Sequence, residues 1–137
     1  MNTDQTLPES RPESPVTQAA QLHTELKSMT EEVGICGCAL LNASTGLLWC
    51  ATGQLENTPL IAEAACDYWR LYLRNREYFQ DLGEIRAQIL VHSQQRLTIL
   101  GCGPDLLLVS LSDEKKVVDW KAWQTRVRNF QTIVLSS

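Results

Sequence analysis

Apolar positions along the chain recur at a few regular spacings. Leu22, Leu26, Met29 and Val33 lie four, three and four apart, which is one face of a helix. Thr17 is placed to cap that helix, and Gly34 to stop it. The next run, Gly34-Ile-Cys-Gly-Cys-Ala-Leu-Leu41, is uniformly apolar or small and suits a strand buried on both faces. Asn42-Ala-Ser-Thr-Gly46 has turn chemistry, with Gly46 able to take positive φ, and Leu47 to Thr52 returns as a hairpin arm. Thr58 followed by Pro59 opens a long central helix, expected to run to about Gln80 and to stop before Gly83. Ile85, Ala87, Ile89 and Val91 then alternate with Glu84, Arg86 and Gln88, the pattern of a half-buried or edge strand. Arg96 to Cys102 and Leu106 to Leu111 predict two more strands, the last apolar on both faces. Trp120, Trp123, Val127, Phe130 and Val134 mark a closing helix. Asp113 and Glu114 precede it, where negative charge suits the helix dipole.

The resulting order is α-β-β-α-β-β-β-α. It predicts an α+β fold, a five-stranded antiparallel sheet with helices on both faces. The two doubly apolar strands belong in the middle of the sheet and the amphipathic ones at its edges. Residues 1–15 hold three prolines and little to bury, so a disordered N-terminal tail is expected there, with a single domain over 16–137.

The central helix carries more apolar surface than one sheet contact requires. With Ile61 as origin and 100° per residue, Ile61, Ala64, Ala65, Tyr68, Leu71, Tyr72 and Phe79 share one arc, the expected sheet-facing stripe. Glu63, Asp67, Arg70, Arg74, Glu77 and Asp81 lie almost opposite, with Arg74 and Glu77 spaced to pair at i, i+3. Ala62, Cys66, Trp69 and Leu73 form a second apolar stripe beside the first. A helix on a sheet needs one stripe a little over ~100° wide, and this helix is apolar over roughly two thirds of its circumference. The second stripe is therefore expected to be a subunit interface, with Trp69 as its anchor. The neighbouring edge strand adds Arg86 and Gln88, and the helix would meet its own copy in a two-fold pair.

Composition narrows the chemistry. The 137 residues are 44% hydrophobic and 20% charged, with 12 Lys plus Arg against 16 Asp plus Glu, a net charge of −4. The sequence pI of about 5.1 argues against nucleic-acid binding, which needs a clustered basic face. No apolar run approaches the ~20 residues of a membrane span. The opening residues lack the basic and apolar regions of a secretory signal, so a cytoplasmic protein with reduced thiols is expected. There is no phosphate-binding Gly-x-x-x-x-Gly-Lys-Ser/Thr loop and no Gly-x-Ser-x-Gly elbow. Gly101-Cys-Gly103 leads into proline and a strand, which is turn punctuation. His23 and His92 are the two neutral-pH bases, both expected at the surface. Cys36-x-Cys38 would place both thiols on one side of a strand, but that spacing with no second pair does not make a zinc site. No catalytic residue, cofactor or metal is expected.

The residues Glu31-Glu-Val-Gly-Ile-Cys-Gly37, Ala39-Leu-Leu41, Thr45-Gly-Leu47 and Leu82-Gly-Glu-Ile-Arg86 stand in the element order given above, with the apolar Leu106 to Leu111 as fifth strand. In this the chain resembles the bacterial roadblock/dynein-light-chain domain family over about residues 17–134. The resemblance implies a homodimer formed through the central helix and third strand, no catalytic residues, and a regulator or platform for a Ras-like small GTPase. The bulky Cys66-Asp-Tyr-Trp-Arg-Leu-Tyr72 departs from the small-residue helix of that family. An alternative is a small-molecule-sensing module of profilin- or PAS-like architecture, for which Ser110, the polar residue within the last strand, is the sequence hint.

Overall fold

The structure, a computed structural model, describes the backbone of residues 15–135 and the side chains of 19–135. The tail expected over residues 1–15 lies, but for Pro15, outside the described residues. Helix α1 spans Pro15–Thr30, followed by strands β1 (Ile35–Asn42) and β2 (Leu48–Gly53). Helix α2 spans Pro59–Arg74 and gives way to a 3-10 segment at Arg76–Leu82. Strands β3 (Gln88–Val91), β4 (Gln95–Gly101) and β5 (Leu106–Asp113) precede helix α3 (Trp120–Leu135). One sheet results, ordered β2-β1-β5-β4-β3 with every pair antiparallel. The expected α+β architecture is therefore the observed one, with the doubly apolar β5 and β1 inside and β2 and β3 at the edges.

Strand alternation divides the core in two. Cys38 and Leu40 of β1 and Leu106 and Leu108 of β5 face α1 and α3, meeting Leu26, Met29, Trp123 and Phe130. Ala39 and Leu41, with Leu107, Val109 and Leu111, face α2 on the other side. A polar row crosses the first of these faces: Thr52, Cys38, Ser110 and Thr98 are cross-strand neighbours and all buried. The Thr30 hydroxyl meets that of Thr52 and donates to the Leu26 carbonyl at 2.9 Å, satisfying one end of the row. Arg126 ties α3 to α1 and the turn after it, through Ser28 Oγ at 2.8 Å and the carboxylates of Glu32 and Glu25 at 3.2 and 3.3 Å.

Several boundaries differ from expectation for local reasons. Helix α1 begins at Pro15, two residues before Thr17, and ends at Thr30, which leaves Val33 outside it and exposed. Thr58 does not cap α2 with its side chain; its hydroxyl donates back to the Gln54 carbonyl at 2.7 Å, while Pro59 takes the first turn. Helix α2 stops at Arg74, where Asn75 leaves helical geometry (φ −106°, ψ 11°) and its Nδ2 donates to the Leu71 carbonyl at 2.9 Å. The ion pair on this helix is Arg70–Asp67 at 3.4 Å; Glu77, expected to pair with Arg74, lies beyond the helix end. Strand β3 is shorter than the alternation from Ile85 suggests. Asp113 and Glu114 do not open α3; Asp119 does, with Oδ1 accepting from the Ala122 amide at 3.0 Å. Among the described residues no helix is long and apolar enough to cross a membrane.

Candidate functional site

The buried side of α2 is centred on the second apolar stripe and takes in Ala65 and Ile61 from the edge of the first. Ala62, Ala65, Cys66 and Trp69 are buried against the chain's own sheet, and Leu73 packs half-buried beside them. Small side chains at 62, 65 and 66 let the helix sit close to β1 and β5, and the Cys66 thiol reaches the Asn42 and Ala43 carbonyls at 3.5 Å. Trp69 joins the same buried layer as Leu97 and Ile99, its ring lying close over Gly101 of β4. Of the residues expected at a subunit interface, Ala62, Cys66 and Trp69 are buried within the protomer and Leu73 is half-buried.

What α2 leaves outward is the other stripe. Ala64, Tyr68 and Leu71 are exposed, the latter two by 50% and 49%. Leu60, at the start of the helix, is also exposed. This face continues without a break onto β3. Shallow grooves of about 500 and 470 Å³ flank Tyr68, lined on the strand side by Gln88, Ile89 and Leu90 and by Leu90, His92 and Gln94. Tyr72 and Phe79 stack at 5.0 Å and wall one end. Gln88 joins helix to strand, its Nε2 donating to the Tyr68 carbonyl at 3.3 Å, while its buried Oε1 has no partner. Arg86 lies before β3, exposed, and lines a different cavity against α3. Strand β3 ends the sheet and pairs on one side only, with β4. Ile89 and Val91 of this free edge are exposed.

The cysteines are not arranged for chemistry. Cys36 and Cys38 do not share a side of β1: between Ile35 and Gly37 the strand gains one residue relative to Ser112 and Leu111 of β5, a bulge. Cys36 therefore packs toward α2 and Cys38 toward α1 and α3. Burial pushes the Cys38 and Cys102 thiols up to about 12 and Cys50 up to about 11. His23 and His92 are exposed, and among the described residues no cluster of three or more His, Cys, Asp or Glu is placed to hold a metal. The thiolate is the reactive form. At pH 8, iodoacetamide followed by mass spectrometry is expected to leave Cys38, Cys50 and Cys102 unlabelled in the native protein and to label them in guanidinium chloride. Labelling of Cys38 in the folded state as fast as in denaturant would contradict the burial described.

The fold is that of the bacterial roadblock/LC7 domains. A roadblock/LC7 domain from Streptomyces avermitilis superposes with a TM-score of 0.69 at 17% identity, over 84% of this chain and 92% of that one. MglB from Myxococcus xanthus does so with a TM-score of 0.71 at 15% identity, over 90% of each chain. An MglB in a tetrameric arrangement gives 0.66 at 14% identity, over 92% of each. No family model matches the sequence, and no curated protein is similar to it by sequence comparison.

Proposed function

We propose that this chain is a non-enzymatic, cytoplasmic regulatory or scaffold protein that works as a homodimer and acts on a Ras-like small GTPase. The observation that carries the proposal is the continuous apolar face of Ala64, Tyr68 and Leu71 running onto the unpaired edge of β3. An exposed strand edge offers a row of unpaired amide and carbonyl groups, and an exposed aromatic–aliphatic stripe offers area to bury. A second copy satisfies both at once: two α2 helices pack on each other while two β3 strands pair across the two-fold. The orphaned Gln88 Oε1 lies at that seam, where a partner's donor would satisfy it. The interface so proposed keeps Gln88 from the sequence expectation and replaces the inward stripe with the outward one. Self-association is in keeping with the tetrameric arrangement of a similarly folded MglB. The GTPase follows from the family resemblance alone.

The test is the mass of the double variant Tyr68→Glu, Leu71→Glu by light scattering. The wild type is expected to be a dimer at about 10 µM, an affinity typical of a modest interface. The variant should be a monomer with unchanged far-UV circular dichroism. A dimeric variant, or a wild type monomeric at about 100 µM, would remove the interface. For the GTPase, pull-down from native cytoplasm that recovers no nucleotide-binding protein would count against the partner while leaving the dimer standing.

A further inference from the structure

On the sheet face opposite α2, helix α3 does not reach the edge of the sheet. A cavity of about 630 Å³ remains between α3 and the β3–β4 hairpin. That volume lies within the range of small-molecule sites, roughly 300–1,000 Å³. Its lining is unlike the rest of this acidic chain: it gathers three of the eight arginines, Arg86, Arg96 and Arg128, and no carboxylate is among its lining residues. The guanidinium of Arg96 is held in place, its carbon 5.5 Å over the Trp120 ring and its Nε 3.2 Å from Glu114 Oε2. That contact lacks hydrogen-bond alignment, so Arg96 Nε is a buried donor without an acceptor. Trp123, 3% exposed, lines the cavity with its ring, and its buried indole Nε1 is a second donor without an acceptor. The guanidinium groups of Arg86 and Arg128 make no hydrogen bond or ion pair among the described residues. Ile89, Val127 and the two indoles supply apolar wall.

Buried donors without acceptors are costly in a native protein. Arginine guanidinium presents a planar fork suited to carboxylate and phosphate oxygens. Together, the preorganised Arg96, the unpaired side chains of Arg86 and Arg128 and the apolar wall define a head and a body for one ligand. We infer that this cavity is a binding site for a small organic anion, a carboxylate or phosphate head on an apolar body. The head is received by the arginines and the body lies against Trp120, Trp123 and Val127. Ser110, the sequence hint for a ligand, plays no part; it is buried in the polar row and does not line this cavity. The site needs neither the proposed dimer nor a GTPase.

The indole N–H signals of the full chain in proton–nitrogen NMR provide the test, with Trp123 assigned through Trp123→Phe. Phenyl phosphate and phenylacetate, titrated separately, distinguish the two head groups; phenol and inorganic phosphate are the controls. At least one of the two anions is expected to shift the Trp123 signal saturably, with a Kd in about the millimolar range or tighter. The signals of Trp49 and Trp69, outside the cavity, should stay in place. Arg86→Ala and Arg128→Ala, both at exposed positions, should each weaken binding by about tenfold, the loss of one charge-assisted contact. The inference is overturned if neither anion produces a saturable shift. It is equally overturned if phenol binds as well, if inorganic phosphate alone binds as well (an adventitious ion only), or if both arginine variants bind like the wild type.

Discussion

Replacing Trp69 with glutamate is expected to unfold the protomer, not to release a folded monomer. Trp69 is 8% exposed and sits in the same buried layer as Leu97 and Ile99. Its Cζ2 lies 3.6 Å from where a Cβ on Gly101 would stand, so the ring fits closely over β4. Removing a buried aromatic side chain costs about 3–5 kcal/mol. A carboxylate in its place adds the cost of an unpaired charge in an apolar layer, several kcal/mol more. Domains of this size have a total stability of about 5–15 kcal/mol, so the sum consumes most or all of it. Circular dichroism and thermal unfolding should show loss of the cooperative transition, whereas Trp69→Phe keeps a folded chain of reduced stability. A well-folded monomer from Trp69→Glu would instead return this residue to an interface and reverse the assignment of the two α2 faces. The same measurement on Tyr68→Glu, Leu71→Glu should show a native transition, because those side chains already face water in the isolated chain.

A second large effect is expected at Gly53, where β2 hands over to the turn that buries Leu55. Gly53 has φ +67° and ψ −143°, a region that is essentially glycine-only. A Cβ there would stand 2.3 Å from the Cys36 carbonyl oxygen and 2.9 Å from the Gly37 Cα, both backbone atoms that cannot swing aside. Backbone strain of about 1–3 kcal/mol and overpacking of a similar size combine to roughly 2–6 kcal/mol for Gly53→Ala. Gly83 provides the comparison. It has φ +88° with nothing within 4 Å of its added Cβ, so Gly83→Ala bears the strain alone. Urea unfolding of both variants separates the two contributions; equal losses would show that the contact with Cys36 has room to relax.

Much of the fold was readable from spacing. Trp123, Val127, Phe130 and Val134 are the buried stripe of α3, and the runs around Leu40 and Leu108 are interior strands because both their faces are apolar. The orientation of α2 was not readable. Its two stripes are both apolar, and the more populated arc, which holds Tyr68 and Leu71, reads as the sheet-facing one. Close packing on a sheet instead favours the small Ala62, Ala65 and Cys66, which leave room for one large ring. The bulge at Cys36 was equally silent, since an extra residue in a strand changes no periodicity that a short apolar run can display. The cavity beside α3 depends on Arg86, Arg96, Trp120 and Arg128 converging from separate elements, and no local spacing reports that.

The two halves of the core share no side chain, because alternate residues of β1 and β5 look in opposite directions. Such a sheet behaves as a bulkhead. A substitution that keeps the chain folded repacks the side chains of one layer without touching those of the other, so each side can be re-tailored to a new contact. A chain of this kind can change what it touches on one side and keep unchanged what it holds on the other.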